Sequence, residues 1–213
     1  MNNILREALL KQKSFKDNFS KESFVPRFLN NKNEELSNPS LIKVLRGPRR
    51  VGKSTFLLLF LKDKDFMYVN FDDSDVITNI ESQNSFLHEL HQIYGETKLV
   101  LFDEIQNMPN WELFLHKLEK EGYNIYITGS NSDLLNTKCA SSLTGRYVSF
   151  SIFPFSYGEF LVAIGEENAP SLDSFDFFLK NGGFPEVIVN KVSPFSYISD
   201  LLYSIIYKDI IKK

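Results

Sequence analysis

Gly47, Gly52, Lys53 and Ser54 stand in the spacing G-x-x-x-x-G-K-[ST] within the stretch GPRRVGKST, residues 47–55. That set of residue types suits one task, which is holding phosphate. Glycines let the backbone turn its N–H groups inward onto phosphate oxygens, a lysine at this position reaches the β and γ phosphates, and a serine hydroxyl ligates magnesium. Pro48, Arg49, Arg50, Val51 and Thr55 complete the same cradle.

A second signal lies further along. The apolar run LVLF, residues 99–102, leads directly into Asp103 and Glu104. A buried strand that ends in two acids puts them at the carboxyl edge of a sheet, where ligands of open α/β folds bind. Asp103 then belongs to the magnesium shell together with Ser54, and Glu104 is placed to polarise an attacking water as general base. An acid beside the metal aspartate favours water over a positioned hydroxyl as acceptor, so hydrolysis is the expected reaction. The nearest look-alike of a guanine-reading Asn-Lys-x-Asp motif, Asn31 to Glu34, precedes the loop, and ATP is therefore the expected nucleotide.

Three further features bear on the site. In TGSNSDLL, Thr128, Ser130 and Asn131 offer polar side chains that either sense the γ-phosphate or cap the following helix; Ser130 and Asn131 are the sensor candidates. Arg146 precedes the last strand and is either an arginine finger, acting within its own subunit or in a neighbour's site, or a paired surface residue. Arg46, Arg49 and Arg50, with Lys43 and Lys53, crowd the loop either to add charge near phosphate or as solvated side chains on its outer side.

The elements that must position these residues alternate in type. LIKVLR, FMYVNF (66–71), KLVLFDE (98–104), NIYITGS (124–130) and RYVSFSI (146–152) read as five strands. Helical patterns run between them, at 53–61, 86–94 and from a cap at Asn110 onward. The expected fold class is α/β, a phosphate-loop NTPase with a parallel five-stranded sheet, helices on both faces, and a C-terminal helical segment. Residues 1–40 read as an N-terminal helical arm, 41–152 as the core, and 153–213 as the C-terminal helical segment. Gly182, Gly183 and Pro185 form a turn with the character of a hinge. In YISDLLYSIIYKDIIKK, Ile198, Leu201, Leu202, Ile205 and Ile206 make an apolar stripe, covered either by this chain's own core or by further chain or a second subunit. No cap follows that helix, so the chain reads as shortened.

Composition sets the remaining bounds. The chain has 213 residues, 43% hydrophobic, with a formal net charge of −3, which gives no global reason to expect nucleic acid as a partner. The apolar run 56–61 stops at Lys62, well short of the roughly 18 residues a membrane span needs. One cysteine, Cys139, and the lack of an apolar leader make the cytoplasm the expected compartment. His88, His91 and His116 show no metal-ligand spacing with Cys139, so no metal besides magnesium is expected.

Taken in order, GPRRVGKST, YVNFDD, LFDEIQNMPNWE, ITGSNSDLL, SLTGRYVSFSIFPFSYGEFL and GGFPEVIV resemble a family of prokaryotic AAA-like ATP-binding proteins, from about Ile42 to Lys213. Members carry a phosphate-loop ATPase core followed by a C-terminal domain of unknown function, and usually continue beyond YKDIIKK. The resemblance implies Lys53, Ser54, Asp103, Glu104, the Ser130–Asn131 region and Arg146 as active-site positions. It also implies ATP and magnesium as cofactors and coupling of turnover to conformational change. The resulting expectation is an ATPase whose C-terminal helix engages a protein partner or a second copy. The alternative is an ATP-gated scaffold or switch that does not hydrolyse.

Overall fold

The computed structural model describes residues 3–19, 24–28, 33–129 and 145–207. Five strands form one sheet: β1 (Ile42–Arg46), β2 (Met67–Asn70), β3 (Leu99–Asp103), β4 (Asn124–Gly129) and β5 (Tyr147–Ser151). All are parallel, in the order β2-β3-β4-β1-β5. Parallel strands need helical crossovers, and central strands covered on both faces read as nearly continuous apolar runs, as β3 and β4 do, whereas β5 at the edge alternates and is only partly buried. The carboxyl ends of all five strands therefore share one edge, and the chain that leaves β1 there is the phosphate loop.

The described residues of Met1–Ser23, Asn31–Arg46 and Ser54–Ser151 make one compact unit, which holds the whole sheet. On one face, Val44, Val69, Phe102 and Ile127 pack against α1 (Asn3–Phe19), α5 (Gln83–Tyr94) and α6 (Trp111–Lys120). Leu5, Ala8 and Leu9 of α1 are buried in this cluster, so α1 is part of the sheet's core and does not stand off it as an arm. On the other face, α3 (Lys53–Leu61) buries Leu57, Leu58 and Leu61, and Phe60 meets Tyr126 at 6.1 Å. Tyr126 also donates to Leu36 O, 2.6 Å, of α2 (Asn33–Ser37). The short α4 (Ser74–Ile77) is capped by Asp73. Asn110 sits at the start of α6 as expected, but with φ 54° its side chain makes no capping bond.

Lys43 corrects the sequence reading. Strand alternation turns it onto the Tyr126 face, fully buried, where Asn124 Oδ1 accepts its ammonium and the Tyr126 ring lies 4.6 Å away. It does not belong to the basic cluster of the loop.

The described residues of Phe24–Asn30, Gly47–Lys53 and Ile152–Lys213 make the second unit. Its helices are α7 (Tyr157–Ile164), α8 (Leu172–Asn181), α9 (Pro185–Val189) and α10 (Pro194–Ile205). Ser156 and Glu159 form a capping box at the start of α7, and Gly165 ends it in the left-handed conformation. Phe155, Phe160, Leu161, Val187, Ile188, Tyr197 and Leu201 form the core of this unit. The apolar stripe on α10 is divided: Leu201 is buried, while Ile198, Leu202 and Ile206 are exposed. Gly183 is a packing glycine, because a Cβ there would lie 2.2 Å from Phe155 O, and Phe155 N donates to Gly183 O at 2.7 Å.

Candidate functional site

The loop is built by its backbone. A Cβ on Gly47 would stand 2.0 Å from Ile152 O, so only glycine fits where the loop opens. Arg50, φ 62°, and Gly52, φ 89°, take left-handed conformations that carry the chain round the turn. Val51 is wholly buried. Lys53 is only 5% exposed, and its Nζ donates to Gly47 O and Pro48 O, both at 3.1 Å. Lysine and loop thus hold one another in shape. Arg50 lies over the Tyr197 ring at 5.9 Å, and burial pushes the Tyr197 hydroxyl up, against the opposing charge of Arg50.

In the sheet-bearing unit, the carboxylates meet the helix that follows the loop. Ser54 Oγ, in the first turn of α3, donates to Asp103 Oδ1 at 2.8 Å. Asp103 is 5% exposed, and Thr128 Oγ1 at the end of β4 donates to the same oxygen. Burial raises the Tyr68 hydroxyl far above its ordinary value, and the charge and hydrogen bond of Asp103 add to it. Asp103 is thus surrounded by hydroxyl groups from α3, β4 and β2. Glu104 follows with φ 52°, a strained value for a non-glycine residue, and Gln106 Nε2 donates to its Oε2 at 2.5 Å. The Glu104 N–H is held by Thr128 Oγ1 at 3.2 Å.

A cavity of about 470 Å³ opens beside the Ser54–Asp103 pair, lined in part by Gln12, Tyr68, Asn70 and Asp73. Gln12 of α1 donates to Asn70 O and Asp73 Oδ2, each at 3.1 Å, and accepts from Asn70 N at 2.8 Å. Neither Gln12 nor Gln106 stood out in the sequence. The signal for Gln106 was its position two residues beyond Glu104, whereas Gln12 had none because it arrives from α1, 58 residues before Asn70.

Arg146 is not brought to the acids. Its carbonyl accepts from Ile42 N at 2.9 Å and β5 starts beside the start of β1, so it stands at the amino edge of the sheet. Five residues of strand, about 16 Å, separate that edge from the one bearing Asp103. There its guanidinium contacts His116 Nε2 at 2.8 Å and Glu119 Oε2 at 3.0 Å. The other histidines also have local partners: His91 meets Tyr123 Oη at 2.6 Å, and His88 meets Gln92 at 2.9 Å. Ser130, Asn131 and Cys139 lie outside the described residues.

The family described as AAA domain matches residues 39–161. An uncharacterized protein of Methanocaldococcus jannaschii is 35% identical over 190 residues, covering 82% of this chain and 43% of the relative. An uncharacterized protein of Haemophilus influenzae is 28% identical over 205 residues, covering 90% of this chain and 50% of the relative. The chain spans about half the length of the curated relatives it matches. Among solved structures it is similar to AMPPCP-bound DnaA from Aquifex aeolicus, with TM-score 0.53, 17% identity, and 87% and 70% of the two chains covered. A Walker-type ATPase of Pyrococcus abyssi gives TM-score 0.50 and 18% identity, with 87% and 75% covered. At these identities the likeness shows the fold, a parallel α/β phosphate-loop core.

Proposed function

Because the chain belongs to the AAA-domain family, we propose that it binds ATP with magnesium, hydrolyses it to ADP and phosphate, and couples the cycle to movement of its C-terminal helical segment. The observation that carries this reading is the Ser54 hydroxyl meeting the Asp103 carboxylate at 2.8 Å where α3 begins and β3 ends. Both are oxygen donors of the kind a hard divalent cation takes, so the residues present fit magnesium, and Ser54 and Asp103 would hold it. Bound there, magnesium supplies positive charge to the phosphoryl oxygens. AMPPCP, an ATP analogue, is the ligand of the similar DnaA structure and supports the choice of nucleotide.

The rest is the work of the chain's own groups. Backbone N–H groups of the loop and the start of α3 bind phosphate oxygens, and the Lys53 ammonium offsets charge on the terminal phosphates. Glu104 accepts a proton from water at its carboxylate as the water oxygen attacks the γ-phosphorus and the bond to the ADP oxygen breaks. Ser130 and Asn131 are proposed to sense the γ-phosphate. The core at 41–152 and the helical segment at 153–213 are the proposed working parts, in the cytoplasm; no helix of the described residues is long and apolar enough to cross a membrane. Exposed Ile198, Leu202 and Ile206 are the proposed contact for a protein partner or second copy.

A second reading, a non-hydrolysing switch, is favoured by one observation: Arg146 is occupied at the far edge by His116 and Glu119. The test is magnesium-dependent ATP binding and phosphate release by wild type, Lys53→Ala and Glu104→Gln. The ATPase reading expects release by wild type, binding without release by Glu104→Gln, and weak binding by Lys53→Ala. Equal binding by wild type and Glu104→Gln without release by either selects the switch, and absence of ATP binding by wild type overturns both.

A further inference from the structure

We propose that Arg27 is a positioning residue that aims the backbone of the phosphate loop and, through Glu159, ties the loop's state to the start of α7. The proposal rests on the ATP-binding reading for the identity of the loop's ligand. Every group involved lies within the second unit.

Arg27 belongs to the segment 24–28, which lies outside helices and strands and outside all the nucleotide motifs. Its three nitrogens serve three stretches of chain. Nη1 donates to Val51 O in the loop at 2.8 Å, Nη2 to Phe153 O at 2.5 Å, and Nε to Glu159 Oε1 at 2.9 Å. The guanidinium also lies over the Phe155 ring at 4.9 Å. The two side chains are 8% and 6% exposed, so this is a buried ion pair.

Glu159 has no spare capacity. Oε1 accepts Phe28 N at 2.8 Å besides Arg27, and Oε2 accepts Ser156 N at 2.8 Å and Ser156 Oγ at 3.1 Å. Burial pushes its carboxyl up, but the amides of Ser156 and Phe28 and the charge of Arg27 outweigh that and hold it below the ordinary carboxylate range. It is also the third helical residue of α7's capping box. A shift of Arg27 is therefore a shift in how α7 begins.

Peptide geometry gives the loop contact its meaning. In a trans peptide the C=O and N–H point in opposite directions across one plane. Holding Val51 O on Arg27 therefore fixes the direction of the Gly52 N–H, one of the groups the loop offers to phosphate. Gly47 packs against Ile152 at the loop's other end, so the turn is gripped at both ends. Burying an ion pair costs desolvation that apolar packing would avoid, so stability by itself is a weak reason for this pair. Fixing a direction is what a forked guanidinium does and a lysine point charge does not.

The experiment compares wild type, Arg27→Lys and Glu159→Gln for AMPPCP affinity with magnesium and for amide hydrogen exchange at Phe28 and Ser156, each with and without saturating AMPPCP. AMPPCP is expected to slow exchange at both amides in wild type. Arg27→Lys is expected to bind roughly tenfold more weakly, and at saturation to lose the slowing. Glu159→Gln, which keeps the shape of the side chain, is expected to lose the slowing as well, and it carries the test if Arg27→Lys does not fold. A merely structural role would speed exchange equally with and without ligand and leave the increment intact. That result, or Arg27→Lys affinity equal to wild type, overturns the proposal. Absence of AMPPCP binding by wild type overturns the ATP reading together with the proposal that rests on it.

Discussion

Thr128 Oγ1 donates to Asp103 Oδ1 while accepting the backbone N–H of the adjacent Glu104, so one fully buried hydroxyl holds both acids. Thr128→Val keeps the volume and removes both bonds. Asp103 keeps the Ser54 hydroxyl, so the cost is that of two hydrogen bonds lost at a buried position, about 1–3 kcal/mol of stability. Phosphate release is expected to fall about tenfold or more, with ATP affinity changed far less, since orientation of the acids is what is lost. Thr128→Ser should recover most of the rate. Equal kcat in Thr128→Val and wild type would show that the hydroxyl does not orient the acids.

Arg146→Ala tests the opposite expectation. The pair with Glu119 is half exposed, and such pairs contribute about 0–1 kcal/mol. Neither the turnover of dilute protein nor its stability should change appreciably. A large loss of turnover that appears only as protein concentration rises would instead identify Arg146 as a finger acting in a neighbouring subunit.

The contrast between these two residues shows what the sequence could reveal. The central strands were legible because a parallel sheet is buried on both faces there, and LVLF or IYIT can serve little else, while β5 at the edge was legible by its alternation. The loop was legible because glycine, lysine and serine at fixed spacing are local chemistry. For Arg146 the sequence left a finger and a paired surface residue open, and its pairing was not legible because His116 and Glu119 lie 30 and 27 residues away in the chain. The same limit hid Arg27, whose partners lie 24 and 132 residues away. Lys43 is close to the loop in sequence, but strand alternation turns it inward onto Tyr126 and Asn124.

Gly47→Ala should add a packing clash to the cost of a positive φ, 156° at Gly47. A Cβ there meets Ile152 O at 2.0 Å, whereas one on Gly122, φ 79°, meets nothing within 4 Å. The expected cost at Gly47 is about 1–3 kcal/mol or more from overpacking, together with loss of ATP binding. Gly122→Ala should cost about 1–2 kcal/mol for its left-handed conformation and leave binding intact. Thermal unfolding and ATP titration of both variants decide it, and ATP binding by Gly47→Ala at wild-type affinity would show that the loop tolerates the shift.

Lys43 makes stability depend on alkaline pH. Burial, with a smaller contribution from the charge of Lys64, lowers its ammonium from 10.5 to about 8. Between those values the unfolded chain binds more protons than the folded one, so stability rises with pH, by about 2 kcal/mol from roughly pH 7.5 to 9.5. The rise should stop near pH 10, because burial holds Tyr126 at about 12 and keeps Tyr68 and Tyr94 raised as well. Above that point the unfolded tyrosines ionise first and stability falls. Urea unfolding across this range measures the slope, which Lys43→Met should abolish while raising stability near pH 7. A slope that survives in Lys43→Met would assign the titration to another group and leave the buried ammonium without this cost.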